Sequence, residues 1–170
     1  MIVTQTERLT LRRLTPQDAE FMLEVLNDPS FLRFIGDRGV RTVEQSRDYI
    51  LKGPADSYER LGYGMYLTEL KDSHVPIGLC GLVKRNYLQE ADIGFAFLPA
   101  FWSKGYAFEA ARAVMTHARQ DVSLPRLLAI TSQDNVASIA MLRKLGFAFE
   151  RLVQAPGETI PINLFSAQLG

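Results

Sequence analysis

The sequence predicts a mixed α/β fold in one domain spanning residues 1–170. Residues 93–98 form an apolar run with the length and composition of a buried strand. The stretch after residue 105 has apolar residues at helical spacing and polar residues on the opposite face, which predicts an amphipathic helix. A hydrophobic content of 47% and a charged content of 22% are those of a soluble globular protein.

One strand and two helices are predicted before the central region. Polar and apolar residues alternate at 6–12, as they do in a half-buried strand. A helix begins at 15–16, where threonine supplies an N-cap and proline takes the first helical position, and it ends at 27–29. Residues 42–45 form a capping box that opens a second helix, which we expect to close before the Gly-Pro pair at 53–54.

Three antiparallel strands are predicted in the middle of the chain. Residues 63–70 and 77–83 are joined by the turn 71–74, which predicts a hairpin, and residues 91–98 form the third strand. The long helix then follows.

The C-terminal third predicts a strand, a short helix and a final strand pair. Residues 127–131 form an apolar strand, and Asn135 caps a helix that Gly146 stops. Residues 147–153 and 160–168 form the last two strands.

The joint between strand 93–98 and the long helix predicts an anion site. Free backbone N–H groups and the positive end of the helix dipole converge there, and Gly105 allows a phosphate to approach the main chain. Two common phosphate motifs are excluded. The lysine precedes the glycine, unlike in a P-loop, and the glycine triplet of a Rossmann fingerprint does not occur.

The residues around Gly105 resemble those of a known family. Residues 99–110 read PAFWSKGYAFEA, which is similar to the P-x-x-W-G-K-G-Y-A-x-E-A run of the RimJ/RimL-type acetyltransferases, in the GNAT superfamily. The opening T-E-R-L-x-L-R at 6–12 resembles the same type. Residues 135–147 resemble the second GNAT signature, N-x-x-S ending in K-x-G-F. Ser103 departs from the pattern, because it replaces the usual first glycine.

This resemblance implies a fold, a reaction and a co-substrate. The GNAT fold is a mostly antiparallel mixed sheet, here of about seven strands, with helices on both faces. The implied activity is that of an N-acetyltransferase, in which a primary amine attacks acetyl-CoA directly in a ternary complex. The amine belongs to a protein N-terminus or to a small molecule. A non-catalytic acyl-CoA-binding module or sensor is the alternative.

The resemblance also assigns residues to acetyl-CoA. They are Phe97, Leu98, Trp102, Ser103, Lys104, Gly105, Tyr106, Ala107, Asn135 and Ser138. Phe97 and Leu98 would pair through their backbone with pantetheine. Trp102 could equally be core packing, and Asn135 could be a helix cap only.

Three residues are candidates for the acid–base chemistry. Many GNAT enzymes have a tyrosine proton donor at the position of Leu142, which cannot donate, so the RimL-type alternative Ser138 becomes the donor or thiol-positioning group. A first-turn serine with a local bond is the other interpretation. For the base we favour Asp92, because a central-strand carboxylate would be partly buried and its pKa raised, over Glu158. Glu158, in the loop 154–158, would bind the acceptor. The irregular segment 27–60 would frame the acceptor with that loop.

The bulk composition limits the possible partners. The 19 basic and 19 acidic residues cancel, so neither nucleic acid nor an anionic membrane is an expected partner. Cys80 is the only cysteine, which fits a reducing cytoplasm. His74 and His117 are far apart in sequence, and we expect no metal site. A monomer and a homodimer both remain open.

Overall fold

Eight strands form one sheet in the computed structural model of the protein, which describes residues 1–170. The strands are β1 (Ile2–Gln5), β2 (Leu9–Arg13), β3 (Met65–Leu70), β4 (Pro76–Val83), β5 (Asp92–Phe97), β6 (Arg126–Thr131), β7 (Ala148–Val153) and β8 (Ile162–Gln168). Their order is β1-β2-β3-β4-β5-β6-β8-β7, and every pair is antiparallel except β5–β6. The predicted mostly antiparallel mixed sheet is confirmed, with one more strand than the seven expected.

The additional strand lies at the start of the chain. The predicted strand at 6–12 is divided: Thr6–Arg8 form a tight turn, and β1 and β2 pair on either side of it. The Thr6 N–H donates to the Leu9 carbonyl at 2.9 Å, and the Thr6 hydroxyl accepts from the Leu9 N–H at 3.0 Å. Thr6 therefore closes a hairpin, although the alternation of polar and apolar residues at 6–12 predicted a continuous strand.

Six α-helices cover the sheet. They are α1 (Ala19–Asn27), α2 (Pro29–Phe34), α3 (Val43–Ile50), α4 (Asp56–Leu61), α5 (Tyr106–Gln120) and α6 (Val136–Lys144). None of them combines the length and the apolar character that a membrane span needs.

Two helical segments differ from the prediction. The irregular stretch after Asp28 contains α2, whose first turn is capped by the Asp28 carboxylate at 3.0 Å from the Ser30 nitrogen. The helix expected to close before residues 53–54 continues through a π-helical turn, Leu51–Ala55, into α4. A proline has no N–H for the α-helical ladder, and the wider turn holds the buried Pro54 without ending the helical path.

The helices form two cores on the two faces of the sheet. The α5 face contains Ile93 and Phe97 of β5, whereas Ala96 and Leu98 pack with α1 and α3 on the other face. Helix α5 buries small residues, namely Ala110, Ala111, Val114 and Ala118, which permit close packing on the sheet. The predicted placement of helices on both faces is confirmed.

The β5–β6 pair is interrupted. It registers a single residue pair, Asp92 with Leu128, whereas β4–β5 and β6–β8 each register six. Residues Gly94, Phe95 and Ala96 are partly exposed although β5 lies in the middle of the sheet. The two strands therefore separate after the Asp92–Leu128 pair and leave a gap between them. The gap is closed at Asp92 and open at Phe97.

Candidate active site

The gap exposes main-chain groups of one set of β5 residues. The Leu98 N–H donates to the Ile77 carbonyl of the neighbouring β4 segment at 3.0 Å. Main-chain groups of successive strand residues alternate in direction, so those of Phe95 and Phe97 face away from β4. Ala91 precedes Phe95 by four residues, so its main-chain groups point the same way. At the closed end its carbonyl accepts from the Leu128 N–H of β6 at 3.0 Å. The N–H groups of Phe95 and Phe97 therefore point into the gap.

This geometry reduces the number of main-chain groups that can pair with pantetheine. The Leu98 N–H is already bonded to Ile77, and the Phe97 carbonyl accepts from the Trp102 indole N–H at 2.7 Å. Of the predicted pair, the Phe97 N–H remains directed at the gap. Phe95 was missed in the sequence analysis, because the direction of a main-chain group depends on strand register, which the sequence does not give.

The loop after β5 has an unusual backbone. Ser103 and Gly105 both adopt left-handed conformations, with φ of 62° and 82°. Glycine adopts this region freely, whereas a serine is strained there, so the glycine that the RimJ/RimL-type pattern has at position 103 would suit this backbone. Gly105 is the N-cap residue of α5, and residues 102–105 are exposed.

The other residues of the loop segment lie in different environments. Trp102 is 48% exposed, and its indole N–H bonds to the end of β5. Core packing, one of the two interpretations given for this residue, does not fit that exposure. Lys104 is exposed and forms no ion pair. Tyr106 and Ala107 are half-buried against the α5-side core.

Two residues outside the predicted site contact this loop. Arg8 donates from Nη1 to the Lys104 carbonyl at 2.9 Å and from Nε to the Glu109 carboxylate at 2.7 Å. Both belong to the matched segments 6–12 and 99–110, but the sequence analysis gave them no role. Residues about a hundred positions apart leave no local pattern in the sequence that would indicate their contact. The only signal was that both motifs occur in the same chain.

Asp92 lies at the closed end of the gap and is fully buried. Burial raises the pKa of its carboxyl, and the charge of Arg85, whose Nε lies 2.8 Å from Asp92 Oδ2, opposes that rise. A solvated strand-end acid is excluded for this residue. The partner Arg85, in the loop before β5, was not predicted.

Asn135 and Ser138 lie at the start of α6. The Asn135 side-chain oxygen accepts from the Ser138 N–H at 3.3 Å, so Asn135 does cap the helix. The half-buried Ser138 hydroxyl forms no hydrogen bond with another protein group, which leaves it available. Leu142 is 1% exposed and belongs to the core, as its apolar side chain requires.

Glu158 is exposed in the β7–β8 loop, and its carboxylate has no partner. Its N–H donates to the Ala155 carbonyl at 3.1 Å. Glu158 and Asp92 therefore differ in solvation as predicted.

Strand directions bring most of the predicted residues to one edge. Because β5 and β6 are parallel, the loop at residues 102–105 and the start of α6 both follow strand ends at the open end of the gap. The antiparallel β8 pairs Asn163, near its start, with Thr131 at the end of β6. The loop before β8, which holds Glu158, therefore lies at the same edge. Asp92 stands apart, at the closed end. No three His, Cys, Asp or Glu side chains cluster as metal ligands would.

Comparison with known proteins agrees with this architecture. The family described as acetyltransferase (GNAT) domain matches residues 8–148. The uncharacterized N-acetyltransferase YoaA of Bacillus subtilis (strain 168) is 29% identical over 89% of this chain and 86% of its own. The spermidine N(1)-acetyltransferase of Escherichia coli (strain K12) is 26% identical over 82% of this chain and 73% of its own.

A solved structure adds a likeness of fold. RimL, the ribosomal L7/L12 alpha-N-protein acetyltransferase in complex with coenzyme A, aligns with a TM-score of 0.83 at 20% identity, over 99% of this chain and 98% of its own. The family match covers most of the chain and includes the loop at residues 102–105, the gap and the start of α6. The chain therefore belongs to the GNAT acetyltransferase family and is an N-acetyltransferase.

Proposed function

We propose that acetyl-CoA binds along the gap between β5 and β6 and that a primary amine attacks its thioester directly in a ternary complex. The interrupted strand pairing carries this proposal, because the open end of the gap lies beside an exposed loop at a helix N-terminus. Such a terminus favours an anion. In this arrangement residues 102–107 hold the pyrophosphate and pantetheine extends towards Asp92.

The main chain of β5 orients the thioester. Pantetheine passes Phe97 first and Phe95 second, because the pyrophosphate stays at the open end. The Phe97 N–H bonds the pantetheine arm, and the Phe95 N–H donates to the thioester oxygen. A donor fixed at that point stabilises the negative charge that develops as the amine attacks.

The amine must lose a proton before or during its attack, since primary amines are cationic at neutral pH. Asp92 accepts this proton, directly or through water. Burial raises its pKa, which makes the carboxylate a better base, and the charge of Arg85 opposes that rise. The Ser138 hydroxyl offers a hydrogen bond to the departing thiolate, whose reference pKa is roughly 8.5.

The acceptor approaches at the edge where Glu158 lies. An exposed carboxylate without a partner attracts an ammonium group there. Helix α2 is near this edge as well, since Arg33 Nη2 lies 3.8 Å from Asp134 Oδ2, just before α6. The acceptor is a small amine or a protein N-terminus, the classes of acceptor named for the spermidine enzyme and for RimL.

The test is a turnover assay. Purified protein is incubated with acetyl-CoA and a panel of polyamines, amino acids and N-terminal peptides, while thiol release and acetylated product are followed. We expect turnover with at least one acceptor, and the preferred class then identifies the substrate. Binding of acetyl-CoA without turnover across the panel would instead favour the binding module or sensor.

A further inference from the structure

Two distant parts of the chain are hydrogen-bonded to each other beside the loop at residues 102–105. Thr6 and Arg8 lie in the β1–β2 turn, and Glu109 lies on α5. The Glu109 carboxylate on α5 accepts from the Thr6 hydroxyl and from the Arg8 N–H, the latter at 3.0 Å. Its other oxygen accepts from Arg8 Nε at 2.7 Å. Both carboxylate oxygens are therefore engaged, and the guanidinium is held in one orientation.

The held guanidinium contacts the residues on both sides of Gly105. Arg8 Nη1 donates to the Lys104 carbonyl at 2.9 Å, and the guanidinium lies 4.4 Å from the centre of the Tyr106 ring. A Cβ placed on Gly105 would lie 3.2 Å from Arg8 Nη2. Arg8 thus supports residues 104–106 from one side.

This support has a directional effect on the loop. A trans peptide is planar, so its carbonyl and its N–H point in opposite directions. Fixing the Lys104 carbonyl towards Arg8 directs the Gly105 N–H to the opposite side. This peptide joins Lys104 to Gly105, which is left-handed, as is Ser103 just before them, and such conformations persist where surrounding contacts enforce them.

We propose that Arg8, held by Glu109, is a positioning residue for acetyl-CoA: it orients the 104–105 peptide so that the Gly105 N–H faces the pyrophosphate. This inference rests on the proposed function of the loop. Arg8 acts through geometry, because its charge is already paired with Glu109. A lysine at position 8 would keep the charge, but one ammonium group lacks the planar fork that reaches both Glu109 and Lys104.

The test compares coenzyme A binding by calorimetry in the wild type, Arg8→Gln and Arg8→Lys. Arg60→Lys is the matched control, since Arg60 forms an exposed pair with Asp56 at 2.7 Å on α4. We expect roughly tenfold weaker coenzyme A binding in both Arg8 variants, the effect of losing one hydrogen bond to a charged group. The control should bind as the wild type does, and Arg8→Lys should melt within a few degrees of it.

A second ligand separates positioning from general damage. S-acetylpantetheine lacks the pyrophosphate, so its binding should be equal in all four proteins. If its binding falls in step with that of coenzyme A, Arg8 is only structural and the inference is overturned. It is also overturned if Arg8→Lys binds coenzyme A as tightly as the wild type. A wild type that does not bind coenzyme A would contradict the proposed function itself.

Discussion

At the scale of single residues, the two candidate carboxylates are separated by their surroundings. Asp92 is fully buried beside Arg85, and Glu158 is exposed with no partner. A buried carboxylate holds its proton more tightly than a solvated one, whereas a solvated one stays charged and attracts cations. This difference is why we propose Asp92 as the base and Glu158 as the acceptor-binding group.

Asp92→Asn should reduce kcat by about 10²- to 10⁴-fold, the usual contribution of a general base. A base must be ionised to act, so the wild-type rate should fall as the pH drops through the pKa of Asp92, which burial raises above its ordinary 3.8. The acidic limb of the kcat–pH profile should disappear in the variant. Steady-state rates between acidic and neutral pH test this.

Glu158→Gln is the comparison, and it should mainly raise the KM of the acceptor. The reverse pattern, with the limb lost in Glu158→Gln, would transfer the role of base to Glu158. An unchanged profile in both variants would mean that the amine loses its proton to solvent before it binds.

Ser138→Ala should lower kcat by about 10²- to 10⁴-fold if the hydroxyl assists the leaving thiolate, while the Kd for coenzyme A changes little. Ser138→Thr keeps a hydroxyl at the position and serves as the control. Single-turnover rates are the appropriate measurement, since product release then cannot mask the step. Equal rates in Ser138→Ala and wild type would reduce Ser138 to a residue of the capped first turn.

At the scale of elements, the loop between β5 and α5 depends on two residues with positive φ. Gly105 has a φ of 82° and an Arg8 nitrogen within 3.2 Å of the position a Cβ would take. A side chain at this residue is therefore disfavoured by the backbone and by the contact with Arg8, and under the proposed function it would also obstruct the pyrophosphate.

Gly105→Val should weaken coenzyme A binding on the order of 10²-fold, because a branched side chain displaces the pyrophosphate and its hydrogen bonds to the backbone are lost. Gly62→Val is a matched control: Gly62 has a φ of 81° at the end of α4 and open space around its missing Cβ. It imposes similar backbone strain away from the loop. If calorimetry shows the same Kd for both folded variants, the assignment of the loop is wrong.

The elements also show which features a sequence discloses. The Asn135 cap and the helix after Gly105 were predictable, because a cap and an amphipathic period are local patterns. The π-helical turn at Pro54 was not, since a Gly-Pro pair normally ends a helix and only the surrounding packing keeps this one continuous. The roles of Arg85 and of Phe95 depended on tertiary contacts and on strand register, which no short window of sequence contains.

At the scale of the whole molecule, the sheet is continuous at one end of the β5–β6 pair and open at the other. Only Asp92 and Leu128 are in register, so the central strand is an internal edge along most of its length. We propose that acetyl-CoA occupies that edge. Ligand binding and the stability of the sheet should then be coupled, because a ligand that binds only the folded state stabilises it.

Amide hydrogen exchange at β5 should reveal this coupling. Without ligand, the N–H groups of Phe95 and Phe97 should exchange faster than those of Gly94 and Ala96, which face β4. Coenzyme A should slow exchange at Phe95 and Phe97 and change the other two much less. Residue-resolved exchange by NMR measures both pairs on the same strand, so each is the control for the other. Uniform exchange along β5, unaltered by ligand, would contradict the alternation.

The bond between Glu109 and the turn at Thr6–Arg8 has a consequence for protein synthesis. About a hundred residues separate the partners in sequence. The turn emerges from the ribosome early, but the carboxylate that holds it is translated only after β3, β4 and β5. The support for the loop between β5 and α5 is therefore assembled late in translation, and a nascent chain that stops before α5 lacks the partner that fixes Arg8. Competence to bind the co-substrate should thus arise in a single late step and not accumulate strand by strand.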